Sequence, residues 1–230
     1  MAKGSGMIHP SMATMLSYIT CDVGVNYSLW SEMIKRVAES SFNAITVDGD
    51  TSTNDTFLAF SSGEELDPSY LSILEEGLHL TAQHLAKSIA RDGEGANCLI
   101  EIKVEGASSD LDARLIARTI ASSSLVKTAV NGSDPNWGRI IAALGRAGTS
   151  FDFNDVKLWI GPYEIFSNGT PLDFDRQIVS KFMKARLIGK YLIDDLIRIR
   201  LRIGKGIGSA TAWGCDLSDQ YVRINADYTT

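Results

Sequence analysis

Few residues in this chain could run acid–base or nucleophilic chemistry by the common routes. Three histidines are present: His9, His79 and His84. His79 and His84 are five apart on a stretch with helical apolar spacing. A helical metal pair needs i, i+4 spacing, so they read as solvated or half-buried helix histidines, and no metal is expected. His9 sits in a loop before Pro10, and a Ser-His-Asp system has little else to stand on. The cysteines Cys21, Cys98 and Cys215 lie far apart with no C-x-x-C spacing. They read as reduced, mostly buried thiols rather than nucleophiles. The run Gly204-Lys205-Gly206-Ile207-Gly208 is not G-x-G-x-x-G and reads as a turn or bulge.

A histidine-free route remains. A threonine can use its own α-amino group as base if it heads a chain. That amine has a pKa of about 7.7–8.0, suited to proton transfer near neutral pH. An internal threonine must first be released. Its hydroxyl attacks the preceding carbonyl, and water opens the resulting ester. Ala13-Thr14 offers a small residue before the hydroxyl. Taken alone, Ala13-Thr14 is a common dipeptide, and its plain reading is a strand-end threonine.

These residues need a frame. The chain has 230 residues, 44% hydrophobic and 22% charged, so a buried core is expected. A net charge of −6 argues against nonspecific nucleic-acid binding. No stretch of about 18 apolar residues predicts a membrane span, and the first twenty residues lack a signal-peptide core. The spacing predicts a strand over 15–19 and a helix capped by Asn26 running to about Ser41. It predicts a helix starting at Asp67-Pro68 and ending before Gly93. A strand follows over 98–104, a helix over 110–125 and a shorter helix over 136–147. Strands at 156–160 and 197–203, a helix over 173–184 and a closing strand at 221–224 complete the reading. Arg198, Arg200 and Arg202 fall on one face of their strand. Strands and helices mix without a steady βαβ beat, so the fold class is α+β.

The segment Met1-Ala-Lys-Gly-Ser-Gly-Met-Ile-His-Pro-Ser-Met-Ala-Thr-Met-Leu16 resembles the self-cleavage region of the ornithine acetyltransferase (glutamate N-acetyltransferase) family. Four further blocks agree in order: Asp48-Gly-Asp-Thr-Ser-Thr-Asn-Asp-Thr56, Arg91-Asp-Gly-Glu-Gly-Ala96, Gly132-Ser-Asp-Pro-Asn-Trp-Gly-Arg-Ile140, and Trp213-Gly-Cys-Asp216 with the ending Ile224-Asn-Ala-Asp-Tyr-Thr-Thr230. The resemblance covers essentially the whole chain. It implies a precursor that cuts itself between Ala13 and Thr14. Residues 1–13 would be the tail of the α chain, and 14–230 the β chain headed by the nucleophile Thr14.

The implied reaction is a ping-pong acetyl transfer from N-acetylornithine to glutamate through an acetyl-threonine ester, in arginine biosynthesis. Some members also accept acetyl-CoA, and no resident cofactor is implied. The substrate contacts carried over are Lys3, Thr14, Glu94, Asn225 and Thr230. Zwitterionic substrates call for such fixed partners: Lys3 suits a carboxylate and Glu94 an ammonium group. The implied fold is a layered α/β sandwich, incomplete without the α chain. The implied partners are that α chain and a heterotetramer of two α and two β chains, with neither nucleic acid nor membrane. The implied location is the cytoplasm, or the chloroplast in a plant or alga.

Two departures matter. The family's α chain is far longer than thirteen residues and supplies a threonine-glycine oxyanion hole that this sequence lacks. Ser11 stands where many members have asparagine. The expectation is that this chain alone is weakly active or inactive, with exposed apolar surface. A related self-processing aminopeptidase and a non-catalytic fragment are the competing readings.

Overall fold

The computed structural model describes residues 1–9 and 15–227. In chain order the strands and α-helices are β1 (Ala2–Lys3), β2 (Leu16–Cys21), α1 (Tyr27–Glu39), β3 (Ile45–Thr46), β4 (Thr56–Ser61), α2 (Leu71–Arg91), β5 (Leu99–Ala107), α3 (Asp110–Ala121), α4 (Ser124–Asn131), α5 (Trp137–Gly145), β6 (Lys157–Ile160), β7 (Tyr163–Ser167), β8 (Thr170–Pro171), α6 (Arg176–Leu187), β9 (Leu196–Arg202), β10 (Gly208–Cys215) and α7 (Asp219–Ala226). The class is α+β, with two mixed sheets.

The larger sheet has the order β3-β10-β5-β9-β6-β7-β8. Pairs β3/β10 and β5/β9 are parallel and the rest antiparallel. Strict alternation decides its faces. Ile100, Ile102 and Val104 of β5, with Ile197, Ile199 and Leu201 of β9, are buried in a core shared with α3 to α6. Arginines 198, 200 and 202 point the other way. Arg198 pairs with Glu101, whose second oxygen accepts the Trp213 indole N–H at 2.9 Å. Arg200 stacks over Trp159 at 4.1 Å from the ring centre.

The smaller sheet, β1-β2-β4, pairs β2 with β4 in parallel. Its inner residues Ile19, Phe57 and Ala59 join α1 and α2 in a second core around Met33, Val37, Ala82 and Ala86. Local signals start these helices as expected. Asn26 accepts the Ser28 N–H, and Asp67 accepts the Ser69 N–H ahead of Pro68.

Three expectations need correction or extension, and one is met. The helix predicted over 110–125 ends at Ala121, and α4 starts afresh at Ser124. The serines at 122–124 favour caps over helix interior, and the break swings α4 toward the ends of β3 and β10. The strand predicted at 221–224 is part of α7. Ser218 caps it by accepting the Gln220 N–H, and its apolar Val222 and Ile224 are exposed, so their alternation reports no buried face. Strands β4 and β10 lie in segments given no regular structure. The glycine run at 204–208 is the β9–β10 connection, with a register shift between Gly208 and Ser209, in line with the bulge expected there.

Candidate active site

The first nine residues thread between the second core and the loops that leave β3 and α2. Ile8 is fully buried. The Asp48 carboxylate accepts the N–H groups of Met7 (2.6 Å) and Ile8 (3.0 Å). Val47 N–H donates to Ile8 O at 2.6 Å, and the Thr51 hydroxyl donates to His9 O at 2.8 Å. On the far side of residues 10–14, Thr56 N–H donates to Met15 O at 2.8 Å. Both flanks of the Ala13-Thr14 segment are therefore tied to the run from Val47 to Thr56. The polar block beginning at Asp48 braces this region through a carboxylate, a hydroxyl and backbone groups. Ala13 and Thr14 themselves, and Thr230 at the other end, lie outside the described residues.

Glu94 follows α2, on the turn that Gly93 opens. Its N–H donates to Ser5 O at 3.2 Å. Its carboxylate accepts the Asn225 side-chain N–H at 2.8 Å, across 131 residues. Gly6 packs flat on that carboxylate: a Cβ there would sit 2.6 Å from Glu94 Oε1. Gly95, at φ +71°, leaves room for the start of α7, where a Cβ would meet Tyr221 N at 2.6 Å. Ser218, the α7 cap, donates its hydroxyl to Gly95 O at 2.7 Å. So the resembling segments 1–16, 91–96 and 224–230 meet through their described parts at Glu94.

Lys3 lies on the same N-terminal segment but makes no hydrogen bond or ion pair with Glu94 or Asn225. It is exposed on β1 opposite Leu16, and lines a cleft of about 480 Å³ with Ser5, Asp92 and Tyr191.

The cluster is anionic. Burial raises the Tyr221 hydroxyl pKa, and the nearby charges of Asp48, Glu94 and Asp50 push the same way. Such a field suits an ammonium group. His9 is half-buried beside Thr46 Oγ1 at 2.9 Å. Burial is the main cause lowering its pKa, helped by Arg118 and opposed by Asp48 and Asp50. His79 meets Ser40 Oγ at 2.6 Å and His84 is exposed, which leaves both on the surface of α2. Cys98 and Cys215 are free and buried, and burial raises both thiol pKa values. Among the described residues no cluster of His, Cys, Asp or Glu is placed to hold a metal ion.

Sequence reasoning left Tyr221, Ser218 and Asp216 without roles. Asp216 accepts from the Asn97 N–H (2.7 Å), the Asn97 amide (2.9 Å), the Cys98 N–H (3.0 Å) and the Asn131 amide (2.8 Å). That ties the loop carrying Glu94 to the end of β10. Its place in the block Trp213 to Asp216 was the available signal.

The ArgJ family model matches residues 1–230. The chain belongs to the ArgJ family. It is 92% identical over 230 residues to the arginine biosynthesis bifunctional protein ArgJ of Prochlorococcus marinus (strain NATL2A), covering 100% of this chain and 55% of that protein. It is 57% identical over 229 residues to the protein of the same name from Parasynechococcus marenigrum (strain WH8102), covering 54% of it. The chain thus spans about half the length of the curated relatives it matches. A crystal structure of the arginine biosynthesis bifunctional protein argJ from Bacillus halodurans matches at TM-score 0.86 and 39% identity. The match covers 94% of this chain and 100% of the solved chain. The α+β sandwich expected from the resemblance is therefore the fold found.

Proposed function

We propose that residues 14–230 are the β chain of a glutamate N-acetyltransferase (ornithine acetyltransferase), and residues 1–13 the tail of its α chain. One observation carries the reading. Glu94 and Asn225, far apart in sequence, share a hydrogen bond beside the segment that leads into Ala13-Thr14. The match to the solved Bacillus halodurans argJ chain, at TM-score 0.86, supports the fold on which the reading rests.

After cleavage the Thr14 amine takes the proton of its own hydroxyl. The oxygen attacks the acetyl carbonyl of N-acetylornithine, the C–N bond breaks, and ornithine leaves with the proton. The amine of glutamate then attacks the threonine ester, giving N-acetylglutamate and the free hydroxyl. Glu94, among the acidic groups near Tyr221, receives the substrate ammonium. Lys3 holds a carboxylate, with Asn225 and Thr230 as hydrogen-bonding partners. Acetyl-CoA is an alternative donor, and the protein needs no resident cofactor.

The α segment supplies the oxyanion hole, which is worth on the order of 10²–10³ in rate. Its docking covers the outer face of β2 and β4, where Leu16, Tyr18, Leu58 and Phe60 are all more than a third exposed. Pairs of such αβ units form a cytoplasmic heterotetramer. No helix among the described residues is long and apolar enough to cross a membrane.

The experiment combines intact-mass analysis with an acetyl-transfer assay, with and without the α segment of the 92% identical relative. Loss of residues 1–13 and transfer dependent on that segment are expected, and Thr14→Ala should abolish both. Full-rate transfer by the chain alone would remove the need for the α segment. Release of free acetate or amino acids instead of acetylglutamate would mark a hydrolase.

A further inference from the structure

Lys127 lies on α4, outside the groups that would touch substrate, and is 3% exposed. Among the described residues no carboxylate lies within ion-pair distance of it. Its ammonium group donates instead to Val47 O and Cys215 O, each at 2.6 Å, with Cys215 Sγ at 3.5 Å. A buried ammonium that hydrogen-bonds two carbonyls and a thiol sulfur rather than a carboxylate is a costly way to fill space. A methionine would fill the same volume without that cost, so packing alone does not account for the lysine.

The two carbonyls occupy matched places. Strands β3 and β10 run side by side in parallel, with Gly214 opposite Thr46. Val47 and Cys215 are the next residues on each. One step further stand Asp48, which holds the N–H groups of Met7 and Ile8, and Asp216, which holds Asn97 and Cys98. The first carboxylate fixes the segment before the cut, and the run it opens reaches Thr56, whose N–H holds Met15 O on the Thr14 side. The second fixes the loop that carries Glu94. Both therefore hang from strand ends bridged by one ammonium group.

We propose that Lys127 is a positioning residue: its ammonium clamps the ends of β3 and β10 and so sets the spacing between the nucleophile's segment and the Glu94 loop. The inference rests on the roles given above to Thr14 and Glu94. A clamp of this kind acts on the rate of the bound complex more than on substrate capture, because misplacing reacting groups by about 1 Å can cost on the order of 10²-fold.

The test uses the two-chain protein, this chain paired with the α segment of the 92% identical relative. Lys127→Met should lower kcat at least 20-fold while KM changes less than threefold. On the uncut Thr14→Ala background, hydrogen exchange should speed up at the amides of Met7, Ile8, Asn97 and Cys98, with Ile100, Ile102 and Val104 unchanged. Wild-type kcat, or faster exchange spread evenly over β5 as well, would overturn the proposal. If Lys127→Met does not fold, Lys127→Gln, which keeps a donor for one carbonyl, is read by the same two measurements. Failure of both variants to fold would assign Lys127 to stability and overturn the proposal too. An inactive wild type would sink the acetyltransferase reading instead, and the exchange pattern would still decide the clamp.

Discussion

The two sheets solve the problem of an exposed face in different ways. The seven-stranded sheet buries one face under α3 to α6, while its other face packs Leu99, Trp213 and Cys215 into the second core beside α2 and carries charge over the rest. Glu101 pairs with Arg198 and Lys103 with Glu105, and Arg200 lies on Trp159. The three-stranded sheet buries its inner face against α1 and α2 but leaves Leu58 and Phe60 beside Leu16 and Tyr18 on the outside. That outer face presents the kind of apolar patch that monomers seldom leave uncovered, and it borders the segment holding the proposed nucleophile. The sheet beside the proposed nucleophile is thus the one with the uncovered outer face.

The contrast can be broken most severely in the seven-stranded sheet. Ile102 is fully buried in β5, so Ile102→Ala should cost about 2–5 kcal/mol in unfolding free energy, measured by denaturant titration. An effect below about 1 kcal/mol would mean that this core is looser than its burial implies.

A smaller effect is expected at His9, which lies beside Thr46 of β3. Its folded pKa lies below the ordinary 6.5, chiefly through burial. The unfolded chain therefore binds the proton more readily. The stabilising contribution is present above pH 6.5 and lost as pH falls through the lower, folded value. His9→Gln should flatten the stability profile in that window, followed by thermal melting between pH 5 and 7.5.

The smallest change in stability is expected at Phe60, which is 53% exposed. Phe60→Ser should leave the stability of the isolated chain within about 0.5 kcal/mol. The same change should weaken binding of the α segment about tenfold or more, measured by titration calorimetry. Unaltered affinity would place the docking surface elsewhere and remove the stated difference between the two sheets.

Much of the frame was legible because its signals are local. Asn26 and Asp67-Pro68 announce α1 and the approach to α2 through caps that need only neighbouring residues. Strands β5 and β9 show themselves by alternation. Strand β10 did not, because Gly208, Ala210, Ala212 and Gly214 carry little strand preference. They suit a central strand closely approached by other backbone: a Cβ on Gly214 would lie 3.0 Å from Thr46 O and 3.3 Å from Ala121 O. Residues 221–224 misled in the other direction, since their alternation is real but their apolar side chains face solvent.

The site divides in the same way. The sequence alone determined which residue types are present: a threonine after an alanine, a glutamate between glycines, an asparagine near the far end, and family blocks in a recognisable order. Motif chemistry depends on neighbours in the chain, so it survives without a fold. Only the tertiary structure decided that Glu94 meets Asn225, that Lys3 stands apart from them, and that Lys127 lies where β3 and β10 end together. Those relations depend on strand register and helix direction. Both are set by which faces become buried, which no short stretch of sequence contains.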